Sequence, residues 1–547
     1  MQKAKRLLSL LLSALMVLSV LSGCSGKEEK EPALELRAAV CPRIASLDPA
    51  MNTERTEQTV FYLLYENLLR LSDDGTGCAV PDYGVAREYK EEPNYDGTVT
   101  YTFKLRSSAN WSDGTRVKAK DFVYAWRRLV DPKTESPNHA MLSMVKGYDT
   151  VRKTGNAKAL AVSAENDSTF TVTLSAPCAY FLNSVCTAVA TMPLREDVVS
   201  ADKEGWANSA NMLSNGAYQI SVWTADEFLQ LRRNENYYES KLIGADMLRL
   251  VFAADASEQL RLYEEGKVDY IADPPRDALV EDGTYLPRSS TYCLLYNNVS
   301  DLFYDADVRR AFDLSIDRSA AATAAGAGAA PATGLISTGI ESGTEEEDDF
   351  RTVGGELCAV DTEGYSERCS EAVECLKRAG FSSGRDFPPI ELLYVEGDRN
   401  YDVVWALQRM WSEQLGVSVL PRALSREDFD ERLASGDFEI AADEITADID
   451  DAAGFLERFS AMGPENKIKY KNETYEVLLG VAGASENMTA RAAFLHDAEA
   501  LLLEDAALSP LYFDTVTDLL RDNLQGIYHD HLGRVFLKGV TRVEAAA

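Results

Sequence analysis

The sequence predicts a multi-domain protein of mixed α/β class, and three observations carry that expectation. Strand-like alternation and helix-like apolar spacing succeed one another along the chain instead of segregating into blocks. The chain has 547 residues, more than one hydrophobic core serves, so two or three domains are expected. There is no internal repeat of fixed period.

The elements follow in chain order. Lys3, Lys5 and Arg6 form a basic start, residues 7–21 are apolar with three serines, and Leu21-Ser22-Gly23-Cys24 follows. That pattern is a secretion signal over residues 1–23, with an apolar core too short to span a bilayer. Its end resembles a bacterial lipoprotein signal. The resemblance implies cleavage before Cys24, diacylglycerol on its thiol, and a polar tether over 24–33. Two acyl chains anchor a protein where one is marginal.

Residues 56–71 have the spacing of an amphipathic helix, with Val60, Leu63, Leu64, Leu68 and Leu71 inward. Tyr95-Asp96-Gly97 is a turn, and 98–105 a half-buried strand with Val99, Tyr101, Phe103 and Leu105 inward. Residues 119–130 form a helix with Phe122, Trp126 and Leu129 on one face, stopped by Asp131-Pro132. Residues 170–174 alternate as a strand. Helix and strand patterns then alternate through 246–273, 371–395 and 401–420. Two stretches are expected at the surface: a short helix and loop over 320–334, and an acidic loop over 341–349. Residues 489–503 form a strong helix, with Ala493, Leu495, Leu501 and Leu502 among its apolar positions.

Formal charge is −33, and loss of residues 1–23 removes three cations and no acid, leaving −36. This argues against nucleic acid as a partner and against an electrostatic grip on anionic lipid. Besides Cys24 there are eight cysteines. Export permits disulfides, no CxxC pair suggests zinc, and Cys358, Cys369 and Cys375 are close enough in sequence to pair locally. Connectivity stays open.

Catalytic signatures are absent from the sequence. There are four histidines, and no HExxH, GxSxG or GxxxxGK[ST]. His529-Asp530-His531 is expected to be a surface turn, because no third metal ligand is in view. No metal, cofactor or enzymatic activity is expected. An exported, acidic α/β protein of this kind leans towards ligand capture.

Ordered motifs then carry a resemblance. SLDPAMNTERTEQTVFYLLYENLLRLSDDG (46–75) and DGTVTYTFKLRSSANWSDGTRVKAKDFVYAWRRLVDPKTESP (96–137) resemble the family-five solute-binding proteins, the extracellular oligopeptide receptors of peptide ABC importers. NGAYQISVW (215–223), LLYNN (294–298), DVRRAFDLSIDR (307–318), AGFSSGRDFPPIELLY (379–394), LQRMWSEQLGV (407–417) and SPLY (509–512) continue it in order. Taken residue by residue, Trp111, Phe122 and Trp126 are core, Asp113-Gly114 and Asn215-Gly216 are turns, and Asp317-Arg318 is a cap or salt bridge.

The resemblance implies a type II periplasmic-binding-protein-like fold: two lobes on a hinge, plus a third domain. It places lobe I at 34–64, 196–289 and 510–547, the additional domain at 65–195, and the other lobe at 290–509. An extended peptide is then held between the lobes by main-chain bonds. In TADIDDAAGFLERF (446–459), Asp448 matches the family's acid for the peptide amino terminus, while Asp450 or Asp451 better fits a helix-capping role. Glu444 and Thr446 match main-chain partners on that lobe, and Thr53, Glu54 and Arg55 match the opposite one. Arg55 could also meet a carboxylate, although surface exposure is the commoner fate for arginine.

The chain departs from the family pattern at Ala442, Ile445, Ile449 and Ala452, and Lys118 replaces a common capping threonine. The implied partners are an oligopeptide, the permease and ATPase subunits of an importer, and the membrane through Cys24, with the protein itself a monomer. The implied location is the outer face of the cell membrane. Three alternatives stay open: the same fold carrying a nickel chelate, haem or sugar; a receptor for signalling peptides; and an exported hydrolase.

Overall fold

Three sheets organise the chain. The computed structural model describes residues 33–543, apart from 42, 45, 54, 74, 76–78, 204, 276–284, 341, 343–348, 397–400, 448, 462, 464–465 and 486.

The first sheet has six strands, in the order Asp518–Leu520, Tyr270–Ala272, Glu35–Val40, Met247–Phe252, Phe228–Arg233 and Tyr218–Thr224. Glu35–Val40 is parallel to both its neighbours and the other pairings are antiparallel. The second sheet also has six strands: Ala330–Pro331, Leu508–Val516, Leu286–Tyr296, Ile440–Thr446, Ile390–Val395 and Val419–Leu424. Its central strands are buried at nearly every position, polar residues included, because both faces are covered. Along Leu286–Tyr296, Tyr292, Leu294 and Tyr296 enter one core while Cys293 and Leu295 enter the other.

The third sheet is antiparallel and four-stranded: Ala86–Pro93, Val99–Leu105, Thr169–Leu174 and Val162–Asn166. The strand expected at 98–105 buries alternate residues, as its spacing requires. The helix expected at 119–130 forms as Ala119–Val130. Trp126 meets Phe170 edge-on at 5.1 Å and donates its indole N–H to Thr191 O at 2.9 Å. Trp111, Phe122 and Trp126 are all buried core. Lys118 supplies no side-chain cap; Asp121 instead accepts the Lys118 backbone N–H at 2.9 Å. Asp317 caps Arg318–Ala325, and Arg318 pairs with Asp313.

Several expectations are corrected. The helix of residues 56–71 stops early, at Arg55–Leu64, and Leu69–Asp73 becomes a strand paired with Ala79–Tyr83. The cause is tertiary. Leu64 O accepts from the N–H groups of Asn215 and Gly216, and the Asn215 side chain bonds both Glu66 N and Glu66 O. Asn215-Gly216 is therefore a brace on a helix end, not a turn. The stretch 320–334 is not surface throughout: Ala321, Ala322 and Ala325 are buried, because small side chains let the helix Arg318–Ala325 lie close against neighbours. Ala493 of the helix Met488–Glu504 faces solvent. Most of the acidic loop 341–349 lies outside the described residues. Cys369 and Cys375 share one helix, Tyr365–Arg378, and both are free thiols, as is Cys358.

His529 and Asp530 are buried, contrary to the surface turn expected of them. They sit in the hairpin Tyr528–His529/Val535–Phe536, where His529 meets Asp518 and Asp530 holds Arg534. Burial is tolerated because both acids and the ring find charged partners.

The chain passes between the two six-stranded sheets twice. One passage leaves Ala272 and re-enters at Leu286; the other is Thr517 alone, between Val516 and Asp518. The two are bonded to each other, Asp273 N–H donating to Thr517 O at 3.1 Å. The boundaries 289/290 and 509/510 fall inside strands of the second sheet.

Candidate functional site

The strand Ile440–Thr446 is antiparallel to Leu286–Tyr296 along its whole length, with Ser290 opposite Thr446 and Tyr292 opposite Glu444. Its other edge is parallel to Ile390–Val395 only at Ile440 and Ala441. Beyond Ala441 no strand covers that edge among the described residues. An uncovered edge exposes main-chain donors and acceptors to whatever extended chain arrives.

Glu444 and Thr446 lie on this open stretch. The Glu444 carboxylate is held by Arg288 at 2.8 Å and accepts from Ser290 Oγ at 2.5 Å. Arg288 also meets Asp514 at 3.2 Å, so a buried arginine on the neighbouring strand balances two acids. Thr446 O accepts from Arg458 Nη2 at 2.8 Å.

After Ala447, whose N–H still bonds Ser289 O, the chain leaves the ladder. Position 448 lies outside the described residues, and a turn follows at Ile449–Asp451. Asp451 N–H donates to Ile449 O at 2.9 Å, and Asp451 Oδ1 accepts from Ala453 N at 2.8 Å. Of the two capping candidates, Asp451 is the one whose carboxylate bonds the first N–H of the helix Ala453–Leu456. Arg491, from the helix Met488–Glu504, grips both Asp451 oxygens at 2.7 and 2.9 Å. Such a fork fixes position as well as charge. Asp451→Asn keeps the cap and loses the ion pair, so a cost of about 2 kcal/mol in urea unfolding is expected.

Asp450 faces across to other parts of the chain. Its N–H donates to Ser184 Oγ at 3.2 Å, on the turn Phe181–Val185. Its charge reaches Arg534, where burial opposes the guanidinium charge but Asp530, Tyr62 and Asp450 together raise its pKa. Beside this contact stand Cys178, Tyr180 and Glu457. Burial pushes the Cys178 thiol up to about 12 and also lifts Tyr180, with Cys178, Glu457 and Asp451 adding to the latter. Glu457 is accessible to water, yet desolvation and then Asp451 raise its carboxyl.

Thr53 stands in a separate, exposed segment between the turn Pro49–Met51 and the helix Arg55–Leu64. Asn138 anchors it by donating to Asn52 O at 2.5 Å. Arg55 begins that helix, and Glu54 lies outside the described residues, as does Cys24. The structure thus puts Glu444 and Thr446 on one strand and Thr53 elsewhere, linked through the 181–187 region: Ser184 meets Asp450, and Thr187 O accepts from Tyr62 OH at 3.4 Å. Sequence reasoning missed Arg491, Ser184 and Arg534. They lie 40, 266 and 84 positions from the acids they meet, so no local spacing signals them. Among the described residues no group of three or more His, Cys, Asp or Glu is placed to hold a metal ion. No helix among them is long and apolar enough to cross a membrane.

The family model of the bacterial extracellular solute-binding proteins, family 5, matches residues 84–467. The chain belongs to this family. It is 27% identical over 564 residues to the oligopeptide-binding protein OppA of Bacillus subtilis, covering 98% of this chain and 99% of that one. It is 28% identical to a probable deoxycholate-binding periplasmic protein of Escherichia coli, covering 88% of each. Among solved structures, the Haemophilus influenzae OppA complex with RPPGFSPFR superposes with a TM-score of 0.75 at 25% identity, covering 94% of this chain and 100% of that one. The fold of this family-5 member is that of the type II periplasmic binding proteins, with its several sheets and helices.

Proposed function

We propose that this family-5 chain is a lipid-anchored extracytoplasmic receptor that captures oligopeptides between two closing lobes and delivers them to the permease of an ABC importer. The observation that carries the reading is the uncovered edge of Ile440–Thr446, running directly into the acid-bearing loop. An extended peptide takes main-chain bonds from Glu444 and Thr446, so affinity does not depend on its sequence. Its ammonium end meets Asp448, and Thr53, Glu54 and Arg55 close from the other lobe. The first sheet with the C-terminal hairpin forms one lobe, the second sheet the other, and the four-stranded sheet the additional domain. The leader ending at Cys24 supports lipid anchoring. Ile449 makes the entry more apolar than the family pattern. Closure follows from contacts the ligand makes with both lobes at once.

The test is calorimetric titration of tetra-alanine against its N-acetylated form. The free-amine peptide is expected to bind and the acetylated one to bind far more weakly. Absence of heat with a panel of free-amine peptides overturns the reading.

A second reading, a non-peptide solute in the same cleft, is favoured by the apolar Ile449 and by the deoxycholate named for one relative. Mass spectrometry of whatever co-purifies with the protein decides between them.

A further inference from the structure

The hairpin Tyr528–Phe536 touches both sides of the double passage between the six-stranded sheets. On the first-sheet side, His529 Nε2 lies 2.5 Å from Asp518 Oδ2, and Asp518 Oδ1 accepts from Tyr270 OH at 2.7 Å. Asp518 follows the one-residue passage, and Tyr270 opens the strand Tyr270–Ala272 that leads into the other, so this triad ties both strands of the passage to the hairpin. On the second-sheet side, His531 O accepts from Ser289 N at 2.5 Å. The His531 ring also lies over Gly339, where a Cβ would come within 2.5 Å of Nδ1. The hairpin itself is anchored by Tyr62, which packs on Phe536 at 4.9 Å and accepts from Arg534 Nη1 at 2.9 Å.

We propose that this hairpin is a clasp across the hinge, and that the charge on His529 sets how firmly it holds, so that ligand capture weakens as pH rises. The groups facing the ring are Asp518 and Asp273 from the two passages, Tyr270 beside them, and Asp530 from the hairpin, itself held by Arg534. Burial opposes the charged ring, but the Asp518 hydrogen bond and charge, with Asp273 and Asp530, outweigh it and raise His529 above 6.5. A raised histidine contributes fully below its unfolded value of 6.5 and loses that contribution as pH climbs through the folded one. The arrangement stabilised is the one in which Asp450 touches Ser184 across the cleft.

The chain has only four histidines, so isotope-labelled rings give four resonances, and His529→Gln assigns the one concerned. In the purified protein the His529 ring is expected to titrate above 6.5. Hydrogen-exchange protection of the Asp273 amide should fall through the same range, and not in His529→Gln. Asp518→Asn, which leaves the ring in place, should lower the His529 titration. The ligand arm rests on the peptide-capture reading. For tetra-alanine, the affinity ratio of wild type to His529→Gln should fall about fivefold between about pH 6 and 8.5. Taking the ratio removes the titration of the peptide's own amine. A ring titrating at or below 6.5, identical exchange profiles, or an unchanged ratio overturns the clasp. If neither tetra-alanine nor the free-amine panel binds at any pH, the capture reading fails, and the exchange arm still decides the clasp.

Discussion

Asp448→Asn is expected to weaken capture of free-amine peptides by about two to three and a half orders of magnitude while leaving the unfolding midpoint unchanged. An ammonium enclosed between lobes loses its water, and a carboxylate replaces that hydration. Leaving the cation unpaired costs about 3–5 kcal/mol. The turn that follows is held by Asp451, whose carboxylate bonds Ala453 N and the Arg491 guanidinium. N-acetylated peptide supplies the control: it has no charge to lose, so wild type and variant should bind it alike. Calorimetry with both peptides, beside urea unfolding of both proteins, makes the measurement. Equal affinity of wild type and variant for the free amine removes Asp448 from the site.

The second large effect belongs to the core of the lobe that carries the loop. Glu499 is fully buried on the helix Met488–Glu504, and its Oε1 accepts from Leu335 N, Ile336 N and Arg351 Nη1 at 2.8, 2.9 and 2.6 Å. Space around the pair is closed: a Cβ at Gly334 would come within 1.9 Å of Arg351 Nη1. Glu499→Ala strands a buried guanidinium and two backbone donors, so a loss of about 3–5 kcal/mol in urea unfolding is expected. Replacing both partners, Glu499→Leu with Arg351→Met, should cost less than Glu499→Ala alone. Glu499 Oε2 and Arg351 Nε and Nη2 lack hydrogen bonds among the described residues, so removing the charges together also removes groups that were poorly satisfied. A double variant no better than the single one would show that packing, not charge, sets the loss.

Local pattern was sufficient wherever one face of an element meets one core. The strand Val99–Leu105 and the helix Ala119–Val130 formed where their apolar spacing put them, and Asp131-Pro132 stopped the helix. It failed where a distant residue supplied the decisive bond. The helix Arg55–Leu64 ends under Asn215 and Gly216, some 150 positions away, although apolar spacing continues to Leu71. His529-Asp530 reads as polar and therefore external, yet Asp518 and Arg534 make its burial tolerable.

By itself, then, the amino-acid order determined the α/β class, the family and the acid-rich turn after Ile440–Thr446, since periodicity and motif order are properties of neighbours along the chain. Tertiary structure alone decided which edge of that strand stays uncovered, that Asp451 bonds the start of the following helix, and that Arg491, Ser184 and Arg534 surround the turn. The physical reason is range. Hydrophobic spacing acts over a few residues, whereas ion pairs and shared edges join residues that only folding brings within a few ångströms of one another.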